Sequence, residues 1–492
     1  MPLIIGFTAL AVVVCFITYR LFFNPLSKIP GPWYTNLTSI VLKVENIRGR
    51  GPIYVDGLHK QYGPVIRLGP DEFDVSDMES VKKIHRVKTT FPKTAFYTGF
   101  TAGPGHDNVF SAQNVEIHRR QRRLLSQAMS EASLKTMVPQ IEDKVRLTIR
   151  KMEDEMRDRG AVDVCKWWML MTADVIGQLT FGRGFGMVEM GMVTSYIADL
   201  QLAGVIGTLS GQFPALKPIL RHVPIPGTGE SVERIEKRRR AFSRKRLGEL
   251  REEVRMNGDN MDPLLFTKLI QGKTRDGGDE PLTKDEIQSS RILDAEAYLT
   301  AGTDTTSNTL TYITWSLCDQ PHLRDRLVEE LKGLPTPFTD DDLKKLPFLT
   351  RCITEGLRRY PVVPAGLPRQ VPKEGAEFNG IWLPGGSTVT TQSWTLHRNP
   401  DVFPNPDVYD PSRWESPSKE MRDSFMAFGG GSRVCIGIHL AWMELRLGLA
   451  NFFLAFPNSR VSGSEGMSKE DMTQALYFLS SPVHHRCLIE AM

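Results

Sequence analysis

Cysteine is scarce in this sequence: the chain of 492 residues has six cysteines, and no two of them form a Cys-x-x-Cys pair. Such isolated cysteines exclude a disulfide framework and a zinc ribbon, and they favour a reducing compartment. Excess charge is also small, because 61 Lys and Arg stand against 57 Asp and Glu, so the total charge implies no acidic partner. Glycine-rich flavin and nicotinamide fingerprints are missing as well. The sequence therefore gives no sign of a flavin or a nicotinamide bound through such a motif.

The one long apolar run lies at the N-terminus. Residues 2–19 carry no charge, and the apolar stretch continues past Arg20 to Phe23, which gives the roughly 20 residues needed to cross a bilayer. A cleaved signal peptide is the alternative, but no basic segment precedes the run and no small-x-small cleavage site follows it. Arg20 and Lys28 favour a cytoplasmic C-terminal side. We therefore predict a transmembrane helix over 1–23, a proline-rich elbow over 24–34 and one cytosolic domain over 35–492.

The cytosolic part is predicted to be one large, mainly α domain with a minor β portion, although about 150 residues per domain would suggest three units. A composition of 41% apolar and 24% charged residues excludes a disordered chain, and no repeat or long linker divides it. Apolar residues at spacings of three and four predict amphipathic helices over 131–158 and 229–256. Short strands are predicted at 65–68, 380–383, 388–391 and 477–479.

The predicted helix over 229–256 contains two basic runs, at 237–240 and 244–246. A nucleic-acid patch is one interpretation, but glutamates interrupt the runs and no recognition motif accompanies them. A solvated or membrane-facing helix is the better interpretation, and we expect no nucleic-acid partner.

Cys435 differs from the other cysteines because glycines surround it. The segment 428–437 has the sequence F-G-G-G-S-R-V-C-I-G, and a helical pattern follows over 438–445. Glycines allow the backbone to approach a large flat group, and the start of a helix favours a thiolate over a thiol. A lone thiolate in such a turn can be the axial ligand of haem iron. The alternative is a small structural cysteine buried before a helix.

This decapeptide resembles the haem-binding signature F-x-x-G-x-R-x-C-x-G of the cytochrome P-450 family without a mismatch. The resemblance implies the cytochrome P-450 fold and haem b as the cofactor, with Cys435 as the metal ligand. By the same resemblance Phe428 packs beneath the haem, and Arg433 pairs with a propionate through charge-assisted hydrogen bonds. Gly431 and Gly437 complete the cofactor-binding residues of the signature.

Two further motifs resemble those that stabilise the region behind the cysteine loop in this family. We call the three residues that they contribute, Glu355, Arg358 and Arg413, the lock. Glu355 and Arg358 match the family's E-x-x-R, and their spacing places both on one helix face. The segment 411–414, P-S-R-W, is similar to the family's P-x-R-F/W. The resemblance implies that Glu355, Arg358 and Arg413 bind one another in a structural, not a catalytic, role.

The segment 299–306, L-T-A-G-T-D-T-T, resembles the family's oxygen-binding helix pattern A-G-x-D/E-T-T. Seven consecutive polar residues occupy 303–309, a run that a helix built only for packing would avoid. Gly302 beside these hydroxyls predicts a local bulge that frees a backbone carbonyl for water. The resemblance implies that Asp304 and Thr305 are catalytic and deliver protons. A polar patch on a partly exposed helix is the alternative.

A fourth segment, H-R-R-Q-R-R-L-L, is similar to the family's W-x-x-x-R, with His118 in place of the usual Trp. The resemblance implies that Arg122 binds a haem propionate. The ring N–H of His118 can take the place of the indole N–H toward the other propionate. Arg119, Arg120 and Arg123 form either a solvated basic face or a docking surface for an acidic electron-donor protein.

The family resemblance implies a monooxygenase that inserts one oxygen atom from O2 into an apolar organic substrate. Its electrons would come from NADPH through NADPH–cytochrome P-450 reductase, with cytochrome b5 as a further donor. The anchor would lie in the lipid of the endoplasmic reticulum membrane, with the haem domain in the cytosol. The segments H-R-R-Q-R-R-L-L-S and L-H-R-N-P-D-V-F resemble microsomal members from filamentous fungi. That likeness implies polyketide or terpenoid oxidation in secondary metabolism, mycotoxin biosynthesis included.

Other functions stay open beside this one. A haem-thiolate isomerase or dehydratase would not use O2, although the intact Asp304–Thr305 pair disfavours it. A xenobiotic or fatty-acid hydroxylase would use the same site, and a non-catalytic haem sensor would bind haem without substrate-stimulated electron uptake. The candidate substrate contacts are apolar, namely Phe96, Phe100, Phe110, Ala297, Ala301, Val363 and Leu479.

Overall fold

The computed structural model describes residues 2–87, 90–101, 107–220, 222–225, 229–257, 264–266 and 284–491. The helices of these residues are α1 (Pro2–Thr18), α2 (Ile40–Ile47), α3 (Gly51–Tyr62), α4 (Met78–His85), α5 (Val115–Ser126), α6 (Glu131–Lys135), α7 (Val138–Arg159), α8 (Val164–Phe181), α9 (Met187–Met190), α10 (Ser195–Gln212), α11 (Lys217–Leu220), α12 (Val232–Asn257), α13 (Lys284–Asp319), α14 (Pro321–Lys332), α15 (Asp340–Leu343), α16 (Pro347–Arg359), α17 (Ser393–His397), α18 (Lys419–Ser424) and α19 (Ile438–Ala455). The strands are β1 (Val65–Gly69), β2 (Glu72–Val75), β3 (Val162–Asp163), β4 (Arg369–Gln370), β5 (Ala376–Phe378), β6 (Ile381–Leu383), β7 (Thr388–Thr390), β8 (Arg460–Val461), β9 (Gln474–Leu476), β10 (Ser480–Pro482) and β11 (Leu488–Glu490).

The N-terminal apolar run forms α1 and continues as a π-helical turn over Tyr19–Phe23. The stretch Ile4–Phe23 is 20 residues long, has a mean hydropathy of 2.1 and is not buried against the rest of the chain. It is therefore long and apolar enough to cross a membrane. The elbow that follows is not a free linker, because the guanidinium of Arg67 on β1 donates to the Leu26 carbonyl and to the Thr35 hydroxyl. These bonds tie the elbow to the first sheet.

Four strands form the main sheet in the order β1-β2-β7-β4. β1 and β2 are antiparallel, with Ile66 opposite Asp74, while β2 and β7 are parallel and β7 and β4 are antiparallel. β1 is buried along its whole length, which explains its nearly continuous apolar sequence. The parallel pairing of β2 with β7 brings Arg369 of β4 onto the same sheet as strands from the N-terminal part of the chain.

The strand predicted at 477–479 is wrong. These residues form the turn between β9 and β10, whose antiparallel ladder places Ser480 opposite Leu476. Turn residues of a hairpin lie outside the ladder, so Tyr477 and Phe478 face other parts of the protein. The strands predicted at 65–68, 380–383 and 388–391 are confirmed as β1, β6 and β7.

Long helices form the core, in which α8 and α13 pack against each other and α19 contacts both. Trp168 of α8 is fully buried, donates its indole N–H to the Thr314 hydroxyl of α13 at 3.3 Å, and lies 5.9 Å from the Phe452 ring of α19. The helix predicted over 131–158 is present as α6 and α7, which separate just before Pro139 because proline favours the first turn of a helix. The helix predicted over 229–256 is α12. The fold is mainly α with a minor β portion, as predicted.

Candidate active site

Glycines set the path of the cysteine loop. Gly431 has a φ of 61°, and a Cβ there would lie 1.8 Å from the carbonyl oxygen of His85 at the end of α4, so only glycine fits. The loop closes where the Cys435 amide donates to the Phe428 carbonyl at 2.9 Å. Gly437 caps α19 with an ordinary φ of −88°, and a Cβ there would meet only the Cys435 sulfur, at 4.0 Å. Gly437 faces the cavity beside this sulfur.

A cavity of about 1750 Å³ lies between α5, α13, the cysteine loop and the main sheet. A small-molecule pocket measures roughly 300–1,000 Å³, so this cavity has room for a large flat group together with a substrate. Gly431 does not line it, because it packs against α4. The other predicted site residues do, namely His118, Arg122, Asp304, Thr305, Phe428, Arg433, Cys435 and Gly437.

Cys435 is accessible from the cavity and otherwise lies deep in the protein. Burial raises the pKa of its thiol, whereas a hydrogen bond from the Gly437 amide and the charge of Arg122 lower this pKa. Arg122 is held nearby by its bond to the Val434 carbonyl, at 2.7 Å. The start of α19, which we expect to favour the thiolate, acts in the same direction as these two groups. A metal cation at the sulfur would favour the deprotonated form further.

Basic side chains crowd one side of the cavity. Arg122 and Arg433 each donate to a backbone carbonyl, and the His118 imidazole is buried beside both. The structure adds two cations that no motif predicted, Lys93 and Arg369, which are 6% and 4% exposed. Within the described part of the chain, Nε and Nη1 of Arg369 have no hydrogen-bond partner.

This basic cluster requires an anionic ligand. Burial lowers the pKa of His118 to about 3, that of Arg433 to about 10 and that of Lys93 well below its usual value, and neighbouring cations add to each shift. A buried guanidinium with unsatisfied N–H groups costs free energy until an acceptor binds it. The two propionates of haem are acceptors of the right charge, so the residues present fit this cofactor.

Lys93 and Arg369 show how little of a binding site a motif can reveal. Arg369 follows the run P-V-V-P-A-G-L-P, and Lys93 follows Phe91 and a proline. The sequence offers one signal for such a residue, namely a single cation at the end of an apolar segment. A cation that is buried there needs a partner, so it indicates a binding site. The Lys93 ammonium also lies 4.1 Å from the centres of the Tyr97 and Phe110 rings, a contact that no local pattern indicates.

α13 carries the polar run 303–309 along the cavity as an uninterrupted α-helix. The bulge predicted at Gly302 is wrong. A Cβ there would lie 2.9 Å from Ile176 of α8, so this glycine allows the two helices to pack closely. The carbonyl of Thr303, one residue on, accepts the hydroxyl of Thr172 from α8 at 2.9 Å and so binds α8 to α13.

Asp304 and Thr305 lie side by side on the cavity wall with different partners. The Thr305 hydroxyl donates to the Ala301 carbonyl at 2.6 Å, which fixes the direction of Oγ1. The Asp304 carboxylate accepts the side-chain amide of Gln201 on α10 at 2.8 Å. Burial raises the pKa of this carboxyl, which makes the protonated form easier to reach near neutral pH.

The predicted lock behind the cysteine loop is confirmed. Nε and Nη2 of Arg358 donate to the two carboxylate oxygens of Glu355, each at 2.8 Å, and both side chains are fully buried. Arg413 donates to the same carboxylate at 3.0 Å. Trp414 adds its indole N–H at 2.9 Å, and the Asp410 amide donates at 2.9 Å. Glu355 is therefore the centre of five hydrogen bonds.

A histidine connects this lock to the cysteine loop by hydrogen bonds. Nδ1 of His397 donates to the Arg358 carbonyl at 3.0 Å, and Nε2 accepts the Met426 amide at 2.9 Å. Burial lowers the pKa of His397 to about 3, so the ring stays neutral and keeps one donor and one acceptor. Met426 precedes Phe428 by two residues, so the lock holds the first residues of the loop.

Phenylalanines form another part of the cavity wall, which meets the basic cluster where Lys93 contacts Phe110. Phe478 of the β9–β10 turn lies 5.1 Å from Phe100 and 6.0 Å from Phe110, measured between ring centres, and Phe96 lies 5.7 Å from Phe100. We call Phe96, Phe100, Phe110 and Phe478 the aromatic roof. All four line the cavity, as do the predicted contacts Ala297, Ala301, Val363 and Leu479.

The fold and this site together define a haem-thiolate oxidoreductase, and comparison with known proteins agrees. Residues 30–485 match the family Cytochrome P-450. Over 96% of its length the chain is 42% identical to cytochrome P-450 monooxygenase tazI of Aspergillus terreus, covering 95% of that protein. It is 37% identical to cytochrome P-450 monooxygenase orf2 of Aspergillus niger, over 98% of this chain and 96% of that one. It is 34% identical to cytochrome P-450 monooxygenase aflV of Aspergillus parasiticus, over 95% and 92% of the two chains.

The chain belongs to the cytochrome P-450 family and is a monooxygenase. Members of the family carry haem with a cysteine as the axial ligand, so haem is the cofactor of this protein. The basic cluster and the cysteine that faces the cavity agree with this cofactor independently of the comparison.

Proposed function

We propose that this protein is a membrane-anchored haem-thiolate monooxygenase that inserts one oxygen atom from O2 into an apolar secondary metabolite of a filamentous fungus, with electrons derived from NADPH. Family membership supports the oxygen insertion, and the aromatic roof supports the apolar substrate. Bound haem supplies the activation of O2 and the oxidation of the substrate carbon. The chain itself binds and orients the reactants, excludes water and moves protons.

Cys435 is the proposed axial ligand, and its position in the cavity beside the basic cluster is the observation that carries the proposal. The Gly437 amide and the Arg122 charge would stabilise the thiolate together with the iron. The other proposed cofactor contacts are His118, Arg122, Phe428, Arg433 and Gly437, joined by Lys93 and Arg369, while Gly431 would act by shaping the loop against α4.

A cysteine exchange tests this assignment with a control in the same cavity. Cys165 of α8 also lines the cavity. We expect Cys435→Ala to abolish the haem-thiolate absorption spectrum and NADPH-dependent turnover, and Cys165→Ala to retain both. An unchanged Soret band in Cys435→Ala, or loss of the thiolate spectrum in Cys165→Ala, would contradict the assignment of Cys435.

Asp304 and Thr305 are the proposed proton-delivery residues. The Thr305 hydroxyl would hold a proton at Oγ1 beside the reacting oxygen, and the Asp304 carboxyl would supply protons to it. Their adjacency on the cavity wall, and the fixed direction of the Thr305 side chain, support these roles.

Peroxide release measures proton delivery without a known substrate. Thr305→Ala should keep its haem and still oxidise NADPH in the presence of reductase, but it should release more hydrogen peroxide per NADPH. Thr309→Ala is the control, because Thr309 lies one helical turn away and also lines the cavity. Equal peroxide yields from the two variants would show that Thr305 does not relay protons.

The proposed substrate class is an apolar polyketide or terpenoid. Phenyl rings at 5–7 Å spacing bind flat or ring-containing hydrocarbons well, because aromatic contacts add to the burial of apolar surface. A titration of the haem spin state against polyketide and terpene intermediates, with fatty acids as the comparison set, tests this class. Binding of fatty acids alone would instead favour a fatty-acid hydroxylase, and turnover without NADPH would favour an isomerase.

The proposed location is the endoplasmic reticulum membrane, with α1 as a single-pass anchor and residues 35–492 in the cytosol. Removal of residues 2–23 should move the protein from the membrane fraction to the soluble fraction.

The proposed electron donor is NADPH–cytochrome P-450 reductase, with cytochrome b5 as a second donor. The donor would dock on the outer side of α5, at Arg119, Arg120 and Arg123. This position is supported by the bond that joins α5 to the cysteine loop through Arg122. Charge reversal at Arg119 should slow electron transfer most at low ionic strength.

A further inference from the structure

Gln201 is a residue of α10 whose side chain reaches the oxygen helix. Its amide Nε2 lies 2.8 Å from Oδ1 of Asp304, although the two residues are about a hundred positions apart in sequence. We propose that Gln201 is a positioning residue. From α10, its side-chain amide holds the Asp304 carboxyl in place for proton transfer. This inference rests on the proposed proton-delivery role of Asp304, and the experiments below separate the two.

The donor that holds Asp304 is neutral, and this matters for a group that must both take up and release a proton. Within the described residues, no Lys or Arg forms an ion pair with Asp304. The titratable groups that face it are the Cys165 thiol of α8 and the His485 imidazole after β10, while Gln201 faces it from α10. A guanidinium or ammonium in the place of Gln201 would favour the ionised carboxylate strongly and hinder its protonation. An amide fixes the position of the carboxyl without adding a full charge.

The geometry of α10 explains why Gln201 reaches its partner. A Cβ on Gly99 would lie 2.2 Å from the Gly207 carbonyl of α10, and a Cβ on Gly211 would lie 2.7 Å from the Phe96 carbonyl. These glycines let α10 rest directly on the segment Ala95–Phe100, which contributes Phe96 and Phe100 to the aromatic roof. α10 therefore packs against the aromatic roof, and the same helix places Gln201 at Asp304.

A charge series at residue 201 tests the role of Gln201 in the full-length, haem-loaded protein. Peroxide formed per NADPH oxidised is measured with purified reductase, without added substrate, as a function of pH. Gln201→Glu should move the midpoint of this profile to higher pH, because a neighbouring negative charge raises the pKa of a carboxyl. Gln201→Lys should move the midpoint to lower pH for the opposite reason. We expect shifts of about one pH unit or more in each direction.

Matched controls come from the same helix. Ser195 is exposed at the start of α10, six residues before Gln201 and on a different side of the helix, so Ser195→Glu and Ser195→Lys introduce the same charges away from the carboxyl and should leave the midpoint in place. Shifts of the two Gln201 variants in the same direction, or shifts no larger than those of the Ser195 variants, would overturn the inference. If a charged variant fails to bind haem, Gln201→Leu decides. Loss of the amide donor should raise the midpoint, and an unchanged profile would overturn the proposal.

Asp304→Asn separates this inference from the proposed function. If Asp304→Asn does not raise peroxide release, Asp304 is not in the proton relay, and the proposed function of that residue fails. If Asp304→Asn raises peroxide release while the Gln201 series has no effect, the relay stands and only the positioning role of Gln201 is overturned. An infrared titration of the carboxyl band that Asp304→Asn removes gives a second readout, since Gln201→Glu and Gln201→Lys should move that titration in opposite directions.

Discussion

Glu355→Gln should destabilise the protein strongly, although the two side chains are nearly the same size. The replacement keeps the shape of the side chain, but it removes a negative charge from the fully buried site where Arg358 and Arg413 bind. One end of the new amide is itself a donor and would face the N–H groups of arginine. Breaking a buried ion pair from one side costs about 3–5 kcal/mol. The loss should reach the cysteine loop, because His397 connects Arg358 to Met426.

Thermal unfolding of the haem-loaded protein, monitored by the Soret band, measures this cost. The entropy of unfolding of a chain of this length is about 1 kcal/mol/K, so the predicted loss corresponds to a fall in Tm of about 3–5 °C. Glu116→Gln is the control, because Glu116 pairs with Arg119 on the exposed side of α5, and such a pair should change Tm by less than about 1 °C. Equal changes in the two variants, with equal haem content, would refute the reasoning that the lock stabilises the loop.

Further predictions concern the loop, the basic cluster and a buried acid. Gly431→Ala should lose haem, because a Cβ would lie 1.8 Å from the His85 carbonyl at a φ of 61°. Gly463→Ala should retain it, because a Cβ there meets no atom within 4 Å and the residue does not line the cavity; haem content after purification measures both. Arg369→Leu should weaken haem binding by about tenfold or more, because the haem propionate would lose a buried cationic partner, and Arg119→Leu should not; haem transfer to apomyoglobin compares them. Glu444 is buried, and burial raises its pKa from 4.5 to about 8. The unfolded chain therefore ionises this group first, and its contribution to stability is lost as pH rises from about 4.5 to about 8, by about 1.4 kcal/mol per pH unit. Glu444→Gln should have a Tm less sensitive to pH across that range, and parallel curves for the two proteins would contradict this account.

Much of the candidate site follows from local sequence patterns, because the relevant residues are close together in the chain. The spacing within 428–437 determines that a cysteine follows a glycine turn and precedes a helix. The three-residue spacing of Glu355 and Arg358 similarly determines that they share a helix face. Such patterns depend on local backbone geometry, and the structure agrees with both.

Local patterns failed where a distant part of the chain determined the outcome. Gly302 suggested a bulge from its neighbouring hydroxyls, but contact with Ile176 of α8 gives it a packing role in an uninterrupted helix. Residues 477–479 have the composition of a strand, but the pairing of β9 with β10 places them in a turn.

The sequence by itself determined the class of chemistry, through a cysteine, a hydroxyl beside a carboxyl, and a buried Glu–Arg pair at fixed spacings. Only the tertiary structure decided which other groups act on that chemistry. Arg369 and Lys93 join the basic cluster from distant parts of the chain, and Gln201 of α10 bonds Asp304 of α13. These contacts depend on how helices and strands pack, because burial and electrostatic interaction follow distance in space and not distance along the chain.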